Sequence, residues 1–352
     1  MADLGAFSVD GVVLCARLDP PTEGFEVKSV PRPYQVSVEE SPVDVSHGTL
    51  VLTEGEETVS TLSTMQLQAV EEEKTMKSII AVCEWLEEQH ASLASMLYVV
   101  GGGTIQDVGA SAALLYKRGI PWTFVPTTLL SMADSCVGGK TGINHKGTKH
   151  LLGLFSPPRR VVIDPLYLDT LNPEAITSGL GEIFRTYITG GPAFLERFDP
   201  KPTADLILRS LGVKRAVVEY DEFELGIRKS MNYGHTIGHA LEAATNFAVP
   251  HGIGVALGCL VENELAIELV GLSNFDAGKV AEKARMFLPA NVFDYFDEAD
   301  RIMEFVSKDR KVSGTHVSLP LLAHIGETVF LDYPLTEDVT PAIKKARERF
   351  ES

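Results

Sequence analysis

The stretch that most constrains the fold is Met96-Leu-Tyr-Val-Val-Gly-Gly-Gly-Thr-Ile-Gln-Asp107. Its first five residues are a short apolar run ending at glycine, which reads as a buried strand. Val108 to Tyr116, just beyond, is rich in Ala and Leu and favours helix. Strand, glycine turn and helix are the physical recipe for holding a phosphate. The glycines let the backbone approach the anion, and the helix N-terminus points free N–H groups at it. The other reading of the glycines is a plain turn. The spacing is not the GxGxxG of the common dinucleotide fold.

More short strands surround this unit: Tyr34-Gln-Val-Ser-Val, Thr49-Leu-Val-Leu-Thr, Pro121-Trp-Thr-Phe-Val-Pro126 and Val161-Val-Ile-Asp164. Pro20, Pro21, Pro31 and Pro33 interrupt the first 48 residues, and Glu54 to Gln68 reads as polar loop. Helix is expected from Glu71. The glycine-rich, basic segment from Ala133 to His150 looks built to surround a polar ligand. Asp164-Pro to Asn172-Pro173 reads as a boundary between residues 1–170, an α/β domain, and residues 171–352, which are helical almost throughout. The exception is His316-Val-Ser-Leu-Pro-Leu-Leu, which is strand-like or irregular.

A chain of 352 residues is long enough for two packed domains. Its formal charge of −17 argues against nucleic acid or an anionic membrane as partner. An anionic substrate would then need a local basic island. Lys117, Arg118, Lys140, Lys146, Lys149, Arg159 and Arg160 supply one against a single acid, Asp134; a solvated basic loop is the alternative. Four scattered cysteines with no CxxC fit a reducing cytoplasm, and Met1-Ala-Asp-Leu lacks the basic start of a signal peptide. No run approaches the roughly 20 apolar residues needed to span a bilayer.

The second half carries Asn232-Tyr-Gly-His235-Thr-Ile-Gly-His239-Ala-Leu-Glu242, then Pro250-His251-Gly252. His235 and His239 are four apart in a helix-favouring run and so share a face. With His251 they could form an open metal site; core packing with satisfied hydrogen bonds is the alternative. Glu182, in Gly179-Leu-Gly-Glu-Ile-Phe-Arg185, is the candidate carboxylate donor.

Taken together, GGGTIQDV (101–108), YKRGIPWTFVPTTLLSMADSCVGGKTGINHKGTKHLLG (116–153), SGLGEIFR (178–185), GIRKSMNYGHTIGHALE (226–242), PHG (250–252) and DRKV (309–312) resemble the 3-dehydroquinate synthase superfamily, the sugar-phosphate cyclases. The resemblance implies an N-terminal α/β domain binding NAD⁺, an all-helical C-terminal domain binding Zn²⁺ or Co²⁺, an active site between them, and a homodimer. It implies Glu182, His235 and His251 as metal ligands, with His239 an active-site polar group. Glu71, Lys74, Gly102, Gly103, Thr104, Asp107, Thr127, Thr128, Leu130, Lys149, Thr170 and Leu171 would line the NAD⁺ site. Asp134, Lys140, Lys214, Arg228, Asn232, His239 and Lys311 would hold an anionic sugar phosphate, with Arg118 reaching from the neighbouring subunit; His150 and Arg185 stand at two further site positions. The sequence departs from the family at Arg185, where a lysine is usual, and at His150, where asparagine is. It also departs at Ile253, at Arg310 and in the short segment before Glu71.

The implied reaction oxidises a substrate alcohol transiently, eliminates phosphate, returns the hydride and closes a carbocycle by an aldol step. Arg228, four residues before Asn232 and seven before His235, would share their helical face and receive a substrate carboxylate. That favours a carboxylated ketose phosphate. Sedoheptulose 7-phosphate is the alternative substrate, favoured by the segments 144–149 and 157–158. A metal-dependent polyol dehydrogenase of the related two-domain group and an inactive homologue are the alternative activities.

Overall fold

The computed structural model describes residues 3–39, 49–54, 63–146, 148–298, 302–308 and 312–352. The chain forms two compact units, Pro21–Leu171 and Met1–Pro20 with Asn172–Ser352. The expected domain of residues 1–170 therefore gives up its first twenty residues. The cause is strand pairing: β1 (Leu4–Val9) and β2 (Val12–Arg17) form a hairpin, and β1 runs parallel to a strand near the C-terminus, with Ser8 opposite Glu327 and Val9 opposite Thr328.

The unit Pro21–Leu171 is built on β3 (Gly24–Val27), β4 (Tyr34–Val38), β5 (Leu50–Thr53), β6 (Ser63–Gln66), β7 (Leu97–Gly101), β8 (Trp122–Pro126) and β11 (Arg160–Ile163). Between them run helices α1 (Met76–Glu88) and α2 (Gly103–Leu115) and a hairpin of β9 (Lys140–His145) and β10 (Thr148–Phe155). The sheet order is β3-β4-β11-β8-β7-β5-β6, parallel throughout except for β3 with β4. Every residue of β5, β7 and β8 is buried, as a sheet covered on both faces requires. β6 lies in the stretch expected to be loop. It is a half-buried edge strand with no apolar alternation, so it left no periodic signal. From β5 the chain steps outward to β6, then crosses back to β7 on the other side. That reversal is a topological switch point at the carboxyl ends of β5 and β7, the place where open α/β sheets bind ligands.

The other unit carries α3 (Pro173–Gly190), α4 (Pro192–Glu196), α5 (Ala204–Tyr220), α6 (His235–Ala244), α7 (His251–Leu269), α8 (Asn274–Arg285), α9 (Ile302–Val306) and α10 (Thr340–Glu351). α7 is buried continuously from Gly252 to Ala266, the mark of a central helix; the stretch is free of charged and amide side chains except at Glu262, Asn263 and Glu264. The helical domain expected here is present, with a five-stranded sheet added. β12 (Val312–Ser313), β13 (His316–His324) and β14 (Glu327–Pro334) join the N-terminal hairpin in the order β12-β13-β14-β1-β2. No helix among the described residues is long and apolar enough to cross a membrane.

Candidate metal and nucleotide sites

Three helices bring the histidine segment to one point, and glycines set how closely they pack. A Cβ on Gly181 of α3 would fall 1.9 Å from the Gly252 carbonyl oxygen of α7, and one on Gly252 would fall 1.7 Å from the Ser178 carbonyl oxygen. The Gly252 N–H donates to Ser178 Oγ at 3.0 Å. α6 meets α7 in the same way, with a Cβ on Gly258 1.9 Å from the Gly234 carbonyl oxygen. Gly234 also takes a φ of +79°, which ends the preceding turn and starts α6 at His235. Glu182 and His251 each adjoin one of these contact glycines.

The result is a tight cluster. Glu182 Oε1 lies 3.0 Å from His251 Nε2 and 3.3 Å from His235 Nε2. The donor nitrogens of His235, His239 and His251 lie within 4.8 Å of one another. Groups behind them fix each donor. His251 Nδ1–H points to Glu242 Oε1 at 2.8 Å, and His235 Nδ1–H to the Tyr233 carbonyl at 3.2 Å. Both imidazoles thereby present Nε2 inward, the arrangement in which a neighbouring acceptor sets a ligand's tautomer. Two imidazoles and one carboxylate fit a zinc-like ion and leave coordination positions open.

Electrostatics suits the same donor set. Burial alone would raise the Glu182 carboxyl, but Arg185 and His235 hold it well below the usual carboxylate range. Burial pushes His235 down. Burial also opposes charge on His251, yet Glu242 and Glu182 push it up to about 10. A metal needs the Nε2 lone pair, so in a set that included His251 this imidazole would have to give up a proton. We expect about one proton released per metal bound near neutral pH, and an apparent affinity rising about tenfold per pH unit there. Calorimetry in buffers of different ionisation heat measures this; release of no proton would remove His251 from the ligand set. The metal-free fold shows the opposite trend. The stabilisation from a raised imidazole is complete below its ordinary 6.5 and is lost as pH climbs through about 10.

The other candidates in this unit are placed less uniformly. His239 is exposed, its ring 5.3 Å from that of His235 and 5.4 Å from that of His251. Lys214 is buried on α5. Arg228, Asn232 and His235 do not share one helical face, as had been expected. Ile227–Asn232 is a short 3₁₀ turn, and the left-handed Gly234 separates it from α6. Arg228 is buried and donates through Nη1 to the Glu222 carbonyl, while Asn232 Nδ2 donates to Glu224 Oε1 at 3.1 Å. Arg185, expected among the catalytic groups, is buried against Glu182. Lys311 lies outside the described residues.

In the unit Pro21–Leu171, β7 ends at Gly101 and α2 begins at Gly103. Gly102 is the N-cap and makes no side-chain cap bond. A Cβ on Gly103 would meet nothing within 4 Å, so the approach to these N–H groups is open there. Thr104 is the second residue of α2, and Asp107, about one turn on, is 3.1 Å from Lys74 Nζ. Lys74 also pairs with Glu71 at 3.3 Å and lies 3.5 Å from His150 Nε2, which groups His150 with the nucleotide candidates. Burial opposes the charge of Lys74, but Asp107 and Glu71 raise it. Asn144 ties the cluster together, donating to Glu71 Oε1 at 2.8 Å and accepting from the His150 N–H at 3.0 Å. The sequence reading passed over this amide as a site residue.

Thr127, just after β8, donates to Glu54 Oε1 at 2.8 Å, and Thr128 Oγ1 contacts Ser131 Oγ at 2.8 Å. Leu130 is half-buried, and Asp134 lies on a single π-type turn. Lys140 opens β9, Lys149 is exposed on β10, and Arg118 is exposed at a φ of +66°. Thr170 Oγ1 donates to the Tyr167 carbonyl at 2.7 Å, and Leu171 follows it. An uncapped helix N-terminus with open glycines suits a pyrophosphate, and a carboxylate cluster one turn away suits ribose hydroxyls.

The family described as 3-dehydroquinate synthase N-terminal matches residues 64–178, and the one described as 3-dehydroquinate synthase C-terminal matches residues 179–312. The 3-dehydroquinate synthase of Sulfurimonas denitrificans is 36% identical over 300 residues, covering 82% of this chain and 86% of that one. A crystal structure of 2-deoxy-scyllo-inosose synthase, complexed with carbaglucose-6-phosphate, NAD⁺ and Co²⁺, covers 92% of this chain and 99% of its own at 21% identity and a TM-score of 0.77. ValA, the 2-epi-5-epi-valiolone synthase of Streptomyces hygroscopicus subsp. jinggangensis 5008 with NAD⁺ and Zn²⁺ bound, covers 92% of this chain and 100% of its own at 21% identity and a TM-score of 0.71. On these matches, the chain belongs to the 3-dehydroquinate synthase family.

Proposed function

We propose that this chain is a phosphate-eliminating sugar-phosphate cyclase of the 3-dehydroquinate synthase type, dependent on NAD⁺ and a divalent metal. The observation that carries the reading is the convergence of Glu182 Oε1, His235 Nε2 and His251 Nε2 within a member of this family. Glu182, His235 and His251 would hold the metal. Gly102, Gly103, Asp107, Lys74 and Glu71 would hold NAD⁺. When bound, the cofactor accepts and returns a hydride and the metal supplies Lewis acidity. The chain's own part is orientation. Glu242 and the Tyr233 carbonyl hold the imidazoles, and Lys140, Lys214 and Asn232 would position an anionic sugar phosphate. His239, exposed beside the triad, would exchange a proton with it. The same reading makes the protein a cytoplasmic homodimer, in keeping with its family.

The first substrate to test is a carboxylated, DAHP-like ketose phosphate. One observation favours the alternative of sedoheptulose 7-phosphate: acidic-loop groups already engage both Arg228 and Asn232, the side chains that a substrate carboxylate would need. The deciding experiment supplies NAD⁺, Zn²⁺ or Co²⁺ and each sugar phosphate, and follows phosphate and NADH together. Phosphate release with no net NADH is the expected result. Stoichiometric NADH would make the protein a polyol dehydrogenase, and neither signal with any sugar phosphate would overturn the enzymatic reading.

A further inference from the structure

We propose that Arg185 is a positioning residue that locks Glu182 so that one oxygen alone, Oε1, is offered to the metal. The inference rests on the metal reading above. Arg185 stands three residues after Glu182 on α3, and the two side chains are buried, at 2% and 3% exposure. Its Nε and Nη2 both donate to the same oxygen, Glu182 Oε2, at 3.0 and 2.9 Å. The other oxygen, Oε1, faces His235 and His251. Two bonds converging on Oε2 hold that oxygen toward the guanidinium and occupy the oxygen through which the carboxylate could become bidentate. The remaining guanidinium nitrogen is held from the far side, where Nη1 donates to Met231 Sδ at 3.2 Å. Nε, Nη1 and Nη2 are thus all engaged within the protein, and burial keeps the group away from solvent.

A lysine at this position could not do the same. Its ammonium is a point donor on a flexible stem and lacks the rigid pair of N–H groups that converge on Oε2 here. In this chain the Arg185 fork orients the carboxylate, and in this arrangement it is not presented to a ligand. One charged oxygen donor plus two imidazoles leaves the most open coordination positions that three protein ligands can.

The test is Arg185→Lys, which keeps the buried charge pair and so the fold, while removing the fork. Metal affinity is measured by competition with a chromophoric chelator, and the visible spectrum of the Co²⁺-loaded protein is recorded beside it. We expect affinity to fall at least about tenfold, as loss of an outer partner of a metal ligand does. We also expect the Co²⁺ bands to weaken, because a freed carboxylate can turn bidentate and raise the coordination number. Arg185→Gln should lower affinity further, with the thermal midpoint of the metal-free protein followed as a check on folding. Wild-type affinity and an unchanged Co²⁺ spectrum in a folded Arg185→Lys protein would overturn the inference. Failure of the wild-type protein to bind metal would instead overturn the metal reading.

Discussion

His251→Ala should give a folded chain that no longer retains a divalent metal. In the proposed set His251 would supply one of three donors, and its Nε2 lies 3.0 Å from Glu182 Oε1. If three ligands share a binding free energy on the order of 10 kcal/mol, losing one costs about 3 kcal/mol, or roughly two orders of magnitude in affinity. Glu182→Ala should cost at least as much, because it removes the only carboxylate of the proposed set and leaves Arg185 buried without its partner. Glu242→Gln should cost less, about tenfold, since the amide oxygen can still accept from His251 Nδ1. His239→Ala is the discriminating variant. By distance alone the three histidines could form a set without Glu182. If His239→Ala keeps its metal and loses turnover, Glu182 is the third ligand. If instead His251→Ala and Glu182→Ala bind metal as well as wild type, the assignment is wrong.

The proposed ligand positions stand out in the sequence because the motifs that carry the family resemblance set residue types at fixed spacing. Spacing alone favoured His235, His239 and His251 equally. Only the fold puts Glu182 Oε1 against two of them, because α3 is remote in sequence from α6 and α7. The central strands were legible as apolar runs bounded by glycine and proline. The place of β1 was not, since its partner is β14, more than 300 residues away, and no local periodicity reports such a pairing. Arg228 shows the limit of helical arithmetic. Its spacing to Asn232 and His235 was read correctly, but a 3₁₀ turn and the left-handed Gly234 break the face that the spacing implied. Arg185 was recognised as a departure, but its role depended on which carboxylate oxygen it met.

Gly252→Ala should be the most damaging single methyl group in this unit. The added Cβ would stand 1.7 Å from the Ser178 carbonyl oxygen, 2.7 Å from its carbon and 3.1 Å from its Cα. All three are backbone atoms of a buried or half-buried helix, so no side chain can turn aside to make room. An ordinary contact needs about 3.4 Å or more, so α3 and α7 must separate by more than an ångström. That movement strains the bond from the Gly252 N–H to Ser178 Oγ and carries Glu182 away from His251, because each ligand lies next to the contact. Overpacking of a tight core costs about 1–3 kcal/mol, and a backbone-on-backbone clash lies at or beyond the upper end. We expect a thermal midpoint lower by several degrees and metal affinity reduced at least as far as in His251→Ala. Gly103→Ala is the matched control, since its Cβ would meet nothing within 4 Å; it should leave stability and metal binding unchanged. A Gly252→Ala protein with wild-type midpoint and wild-type metal content would show that the two helices do not pack at this distance. The proposed triad would then lose its structural basis.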